Sequence, residues 1–237
     1  VSLATGQDLG NPRVWLVGAV MGAAFAFGYC FALQRCVAIG PLGPSAAVNN
    51  MGLLWPVVLG AVWLDPHPLG APSWIGLAAV AVSFVLFGAG SGGGDSAKRL
   101  SLEWGFWALA TWVASGVSMS AQLVGSLAAP ESPVPLVGAC LATSTVLLLP
   151  FVIRRRALRP TSIEFGAGLA NGIFQVAGVT FMLLALRRLP VEVVFPFAIG
   201  VPLIATLLLG RFVYRDAVSP AGWAASGVGL AGLVLLS

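Results

Sequence analysis

The feature that most constrains this chain is a series of long apolar runs separated by short charged or Pro/Gly-rich breaks. An α-helix needs roughly 17 to 25 such residues to cross about 30 Å of hydrocarbon. The runs predict helices at about 14–38, 44–64, 72–90, 103–127, 134–153, 163–186, 191–211 and 218–236. Only 8% of the 237 residues are charged, whereas soluble domains carry about 25%. The sequence therefore predicts an all-α, polytopic membrane helical bundle with eight transmembrane helices.

Basic residues are concentrated on one side of the predicted bundle. The breaks after the first, third, fifth and seventh spans carry Arg35, Lys98, Arg99, Arg154, Arg155, Arg156, Arg159, Arg211 and Arg215, and the opposite side carries Arg13, Arg187 and Arg188. By the positive-inside rule, the first set faces the cytoplasm and the C-terminus lies outside. We expect a multi-pass protein of the cell (inner) membrane. The small net charge of +4 and the lack of a basic face exclude nucleic acid as an expected partner.

The second half of the chain repeats the first. Residues 41–74 correspond to residues 190–223 at a spacing of 149. Upstream, at a spacing of 150, the pair Gly18 and Gly22 corresponds to Gly168 and Gly172. Each matched unit contains three predicted helices, and an odd number of spans gives two copies opposite orientations. The sequence thus predicts an inverted-topology repeat.

Helix breakers lie inside matching spans of the two copies. The stretch VFPFAIGVP, residues 194–202, corresponds to SAAVNNMGLLWP, residues 45–56, which is broken by Asn49, Asn50, Gly52 and Pro56. Interrupted spans at matching positions of inverted halves point to a transporter's binding site, because irregular backbone at membrane depth is tolerated where it lines a cavity. Proline kinks that serve packing alone are the alternative.

Two segments resemble a known family. ALRRLPVEVVFPFAIGVPLIATLLLGRFVYRDAVSPAGW and GPSAAVNNMGLLWPVVLGAVWLDPHPLGAPSWIGLAAVAVSFVLFG resemble the ends of the two repeats in the EamA branch of the drug/metabolite transporter superfamily. The resemblance implies ten helices in two inverted five-helix repeats, with a central cavity for a small metabolite. Here residues 1–90 form the first repeat, 91–102 a linker and 103–237 the second repeat. The first repeat begins directly at its three-helix unit, so the resemblance implies two more helices, about 55 to 60 residues, upstream in the parent gene.

One position departs from the family pattern. The family places an acidic residue seven before the tryptophan that follows the interrupted span. The second copy has Asp216 there, whereas the first copy has His67, with Asp65 two residues earlier. We expect His67 to lie in a surface loop.

Seven polar or aromatic side chains inside the spans are candidates for substrate binding: Asn49, Asn50, Asn171, Gln175, Tyr29, Trp112 and Gln122. Asn171 and Gln175 share a stripe with the glycines of the sixth predicted helix, and Gln122 shares a face of the fourth with hydroxyl side chains. Amides bind polar substrates without burying a charge. They also stabilise helix packing, by around 0.6 to 2 kcal/mol for each hydrogen bond, and both roles stay open.

Enzyme chemistry has little support in the sequence. The sole histidine is in a predicted loop, no carboxylate is predicted at mid-membrane, and Glu192 comes nearest to it. Cys30, Cys36 and Cys140 have no metal-site spacing, so we expect neither catalytic residues nor a metal or cofactor. The prediction is a permease or exporter, not an enzyme, that moves a small metabolite or drug-like molecule by alternating access. Its expected partners are that molecule and the bilayer. The sequence does not determine whether the protein is a monomer or a homodimer. A non-transporting scaffold or sensor is the alternative, and an intramembrane enzyme is a weaker one.

Overall fold

A computed structural model of the protein describes residues 11–40, 42–60, 63, 70–90, 101–128, 133–154, 161–212 and 220–236. These residues form helices and turns, with no β-strand among them. The helices are α1 (Pro12–Phe27), α2 (Gln34–Ile39), α3 (Leu42–Asn50), α4 (Leu54–Leu59), α5 (Ala71–Gly90), α6 (Leu102–Ala128), α7 (Val134–Arg154), α8 (Ser162–Ala185), α9 (Val191–Phe212) and α10 (Pro220–Leu236). A π-helical segment, Gly28–Leu33, joins α1 to α2, and a 3₁₀ turn, Met51–Leu53, joins α3 to α4.

The prediction of an all-α bundle is confirmed for the described residues. Among these described residues, three helical stretches are long and apolar enough to cross a membrane, namely Pro12–Ile39, Val134–Arg154 and Ser162–Ala185, and Ala71–Leu86 is a shorter apolar helix. Where a predicted helix end is described, it lies within two residues of the observed one. The start of α8 shows how the sequence determines such an end. Thr161 accepts a hydrogen bond from the Glu164 backbone while the Glu164 carboxylate accepts one from the Thr161 backbone, which forms a capping box.

The two predicted interruptions have different outcomes. The first copy is interrupted as expected, because the 3₁₀ turn containing Gly52 separates α3 from α4. The second copy is not interrupted, and α9 runs as a continuous helix through Pro196 and Pro202. Each proline removes only one backbone donor, and Pro196 is fully buried. The prediction of a break inside residues 194–202 was therefore wrong.

The described contacts divide the chain into two units. The first comprises Val1–Ala26 and Ala121–Leu189, and the second comprises Phe27–Ser120 and Pro190–Ser237. The core of the first unit joins α1, α7 and the C-terminal part of α8 through Val14, Leu136, Val137 and Leu183.

Glycines let α1 approach α7 closely in the first unit. A Cβ built on Gly18 would lie 2.5 Å from Ala139 Cβ, and one built on Gly22 would lie 3.0 Å from Thr143 Cβ. Ser144 Oγ donates to the Gly22 carbonyl at 3.0 Å. Small residues that allow backbones to approach are typical of helix packing in membranes, so these two glycines are required by a contact.

In the second unit, α5 packs lengthwise on α10. Ser83 Oγ donates to the Ala225 carbonyl at 2.8 Å, and a Cβ built on Gly229 would lie 2.6 Å from Ser83 Oγ. At the other end, a Cβ built on Gly232 would lie 2.8 Å from the Gly76 carbonyl oxygen. Residue numbers rise along α5 as they fall along α10, so the two helices are antiparallel.

Candidate functional site

The seven candidate residues are divided between the two units. Tyr29, Asn49, Asn50 and Trp112 belong to the second unit, whereas Gln122, Asn171 and Gln175 belong to the first.

Irregular backbone brings three of the candidates together in the second unit. Tyr29 lies in the π-helical segment, and Asn49 and Asn50 end α3 just before the 3₁₀ turn. The Asn49 amide nitrogen lies 3.5 Å from both the Tyr29 hydroxyl and Asn50 Oδ1. Mid-helix π and 3₁₀ segments often mark functional sites and hinges. Three of the seven candidates thus lie close together in the second unit, and their role stays a prediction.

Asn49 is held at its backbone, while its side-chain oxygen lacks a partner among the described residues. Ser115 Oγ on α6 donates to the Asn49 carbonyl at 2.9 Å. A Cβ built on Gly52 would lie 2.5 Å from the same Oγ, so glycine allows this close approach. Asn49 is only 5% exposed, yet its Oδ1 has no hydrogen-bond partner within the described residues. A buried acceptor without a donor costs about 1 to 3 kcal/mol.

An aromatic cavity lies beyond the 3₁₀ turn, where α4 packs against α6. The Trp55 and Trp112 rings meet edge to face with centroids 5.3 Å apart, and Gly116 leaves room for the Trp55 ring. The cavity has a volume of about 420 Å³, within the range of small-molecule sites. It is lined by Leu54, Trp55, Val58, Leu59, Trp63, Trp112 and Ser120.

The sequence analysis identified Trp112 but missed Trp55 and Trp63. Trp63 lies near the end of the predicted span 44–64, where tryptophan is usual at a membrane interface, and Trp55 is a single aromatic residue at the middle of that span, so neither alone indicated a cavity. The available signal was the position of Trp55, directly before Pro56 at the end of the interrupted stretch.

A second polar group ties α2, α3 and α6 together in this unit. Trp104 Nε1 donates to Ser45 Oγ at 3.1 Å, and the Cys36 thiol donates to the same oxygen at 3.2 Å. An exposed ion pair between Arg35 and Glu103 at 3.2 Å joins α2 to α6, a type of contact that adds little stability. This group holds α3 at its N-terminal side, which leaves the following 3₁₀ turn as the irregular part of the span.

The three candidates in the first unit are in different surroundings. Gln122 is buried, and its Oε1 has no hydrogen-bond partner in the part of the chain that the structure describes. Asn171 and Gln175 are exposed on α8, and the side chain of neither makes a hydrogen bond within the described part of the chain. A Cβ built on Gly168 or Gly172 would meet nothing within 4 Å. These polar and small residues thus share one face of α8, and no described residue packs against that face.

Several predicted features fall outside the described residues. These are His67, Asp65, Asp216, residues 91–100 of the predicted linker, residues 155–159 of the basic break, and the side chain of Glu192. Within the residues that the structure covers, no group of three His, Cys, Asp or Glu side chains could hold a metal ion.

Comparisons with known proteins support the fold alone. No protein-family model and no curated protein matches this chain. A solved structure described as "Crystal structure of protein" is similar, with a TM-score of 0.72 and 20% sequence identity. The similarity covers 99% of this chain and 91% of the other.

Proposed function

We propose that this chain is a multi-pass membrane permease of the EamA drug/metabolite type, which moves a small molecule by alternating access between inverted repeats. Its expected location is the cell membrane, with the basic breaks in the cytoplasm. Eight membrane spans from a ten-helix design belong to this proposal. The proposed substrate site lies in the second unit, around Tyr29, Asn49, Asn50 and Trp112.

The packing of α5 on α10 supports the inverted repeat. At the spacing of 149 residues, Gly76 corresponds to Ala225 and Ser83 corresponds to Gly232. The contact of Ser83 with Ala225 is therefore matched by the contact of Gly232 with Gly76. A two-fold axis exchanges the two copies. Each contact between a residue of α5 and a residue of α10 is then repeated between the two corresponding residues. Two copies related by an axis in the membrane plane are antiparallel, as α5 and α10 are.

The observation that carries the functional proposal is the interrupted first-copy span. The 3₁₀ turn at Met51–Leu53 lies between the buried polar cluster of Asn49 and the aromatic cavity of Trp55 and Trp112. Transporters of the inverted-repeat type form their sites from such discontinuous helices. A polar cluster next to an apolar cavity also fits the general pattern of small-molecule sites, which combine an apolar wall with a few polar groups.

The test is solute flux in proteoliposomes. The purified protein is reconstituted, and the release of a mixture of trapped labelled metabolites is compared with that from protein-free vesicles. We expect at least one solute to leave faster through the wild-type protein and this excess to fall in Trp112→Ala, which removes a cavity wall. Release that equals the protein-free rate for every solute, with and without a pH gradient, would contradict the proposal.

A further inference from the structure

Helices α2 and α3 are consecutive along the chain, and the two irregular segments lie at their outer ends. The polar group of Trp104, Ser45 and Cys36 lies near the junction between them. We propose that these two helices, the α2–α3 pair, form a hinged gate that turns about the irregular segments and is held closed by Trp104 of α6. The inference rests on the proposed function, because such a gate would admit a solute to the same second-unit site.

Both outer ends of the α2–α3 pair are joined to irregular backbone. The π-helical segment Gly28–Leu33 precedes α2, and the 3₁₀ turn Met51–Leu53 follows α3. A 3₁₀ stretch inside a helix often marks a hinge, and π segments are frequent at functional sites. The pair can therefore turn at these two places while α2 and α3 stay helical.

The two irregular segments contact α6 at the same turn. A Cβ built on Gly28 would lie 2.9 Å from Ala114 Cβ, and one built on Gly52 would lie 2.5 Å from Ser115 Oγ. The same Ser115 hydroxyl donates to the Asn49 carbonyl at 2.9 Å, which fixes the end of α3 against α6. These close contacts define the axis about which the pair turns.

The opposite end of the pair is held by one tryptophan. Trp104 precedes Ala114 by ten residues, a distance of about 15 Å along α6. Its indole N–H donates to Ser45 Oγ on α3, and its ring covers Gly40, where a side chain would overlap it. The Cys36 thiol on α2 donates to the same Ser45 oxygen. Trp104 thus holds both helices of the pair at the end farthest from the hinge.

The closed position buries the groups that hold it. Ser45 and Cys36 are both 0% exposed, so movement of the pair away from α6 would expose them. The neighbouring ion pair between Arg35 and Glu103 is exposed and adds little. A neutral hydrogen bond stabilises only modestly, so the contact with Trp104 favours the closed position but lets it open.

The second copy lacks the parts of this gate. Helices α8 and α9, which correspond to the two irregular spans of the first copy, are described over their full lengths and contain no π or 3₁₀ segment. At the spacing of 149, Ser45 corresponds to Val194, so the oxygen that Trp104 and Cys36 share has no counterpart. The gate therefore belongs to the first copy alone, and the two repeats contribute unequally to access.

The experiment measures opening through the three native cysteines. Cys36 is buried beside Ser45, Cys30 is exposed, and Cys140 is buried in the core of the first unit. The protein in lipid nanodiscs is treated with N-ethylmaleimide, and the alkylation rate of each cysteine is measured by peptide mass spectrometry. Cys30 reports the activity of the reagent, Cys140 reports unfolding, and Cys36 reports opening of the gate.

Two matched variants test the role of the tryptophan. Trp104→Phe keeps a ring and removes the donor, so we expect Cys36 to be alkylated about fivefold to tenfold faster, as the loss of one neutral hydrogen bond provides. Cys30 and Cys140 should keep their rates. The control is Trp107→Phe on the same helix, because the Trp107 indole has no hydrogen bond within the described residues; it should leave Cys36 at the wild-type rate. An unchanged Cys36 rate in Trp104→Phe, or equal increases at Cys36 and Cys140, would overturn the inference.

A second background tests the bond itself. In Ser45→Ala the acceptor is already absent, so adding Trp104→Phe should not raise the Cys36 rate further. A further fivefold rise would overturn the inference. The labelling needs no solute, so the two proposals fail separately. Flux with an unchanged Cys36 rate in Trp104→Phe refutes only the gate, whereas a faster Cys36 rate without flux of any solute refutes only the proposed transport.

Discussion

Helices α1 and α8 carry the same glycine pair at a spacing of 150 residues, yet the two pairs have opposite surroundings. Gly18 and Gly22 press against α7, and a side chain at either position would collide with it. A side chain at Gly168 or Gly172 would meet nothing within 4 Å. A small-residue motif therefore gives a helix the capacity for close packing. Whether close packing occurs depends on whether another helix lies against the glycines.

The same contrast applies along α8 itself. Its C-terminal part contributes the fully buried Leu183 to the core of the first unit. Its earlier turns are exposed, including Phe174 at 76%. One helix thus provides both an anchored segment and an open face, and matched substitutions on it separate the two.

The largest effect is expected from the anchored segment. Leu183→Ala should lower the free energy of unfolding by about 2 to 5 kcal/mol, because it leaves a cavity among Val14, Leu136 and Val137. Phe174→Ala should change it by no more than about 0.5 kcal/mol, as exposed positions do. Reversible unfolding in mixed micelles measures both. Equal losses in the two variants would show that the open face of α8 is also packed.

The two glycine pairs are expected to give smaller changes in the free energy of unfolding, and the change in one pair differs in sign from the change in the other. Gly22→Ala should destabilise by about 1 to 3 kcal/mol, because its Cβ would be forced against the Cys140 carbonyl and Thr143. Gly172→Ala should be neutral or stabilise by up to about 1 kcal/mol, since alanine favours helix where space is open. The comparison of α1 with α8 would be contradicted if Gly172→Ala were the more damaging change.

The smallest effect concerns polar side chains on the two sides. Ser144→Ala removes a hydroxyl that donates to the Gly22 and Cys140 carbonyls and should cost about 1 kcal/mol. Asn171→Ala removes an exposed amide that has no hydrogen bond within the described residues, so no loss is expected. The same unfolding assay compares them. A loss of 1 kcal/mol or more in Asn171→Ala would mean that this amide has a partner.

The sequence predicted the helices well because their signal is local. Apolar length and charged or Pro/Gly-rich breaks placed each predicted span end that the structure describes within two residues of an observed helix end. The predicted break at Pro196 failed for a non-local reason. A proline removes one hydrogen bond, and whether the helix then breaks depends on packing around the buried ring.

The candidate site was predictable only in its polar part. Asn49, Asn50 and Tyr29 were found because amides and a phenol are rare inside apolar runs. Trp63 was missed because tryptophan is common near membrane interfaces, and Trp55 was missed because one aromatic residue within an apolar run does not indicate a cavity. Asn171 and Gln175 were included among the candidates because they share one face of a helix with several glycines. Helical periodicity shows which residues share a face, but it does not show what packs against that face.

The most direct test of the account is the flux of one solute through two variants in proteoliposomes. Asn49→Leu alters the buried amide at the interrupted span, and Asn171→Leu alters the exposed amide of α8. For the solute that the wild-type protein releases fastest, the account predicts at least a tenfold loss of flux in Asn49→Leu and wild-type flux in Asn171→Leu. Wild-type flux in Asn49→Leu together with a loss in Asn171→Leu would contradict it.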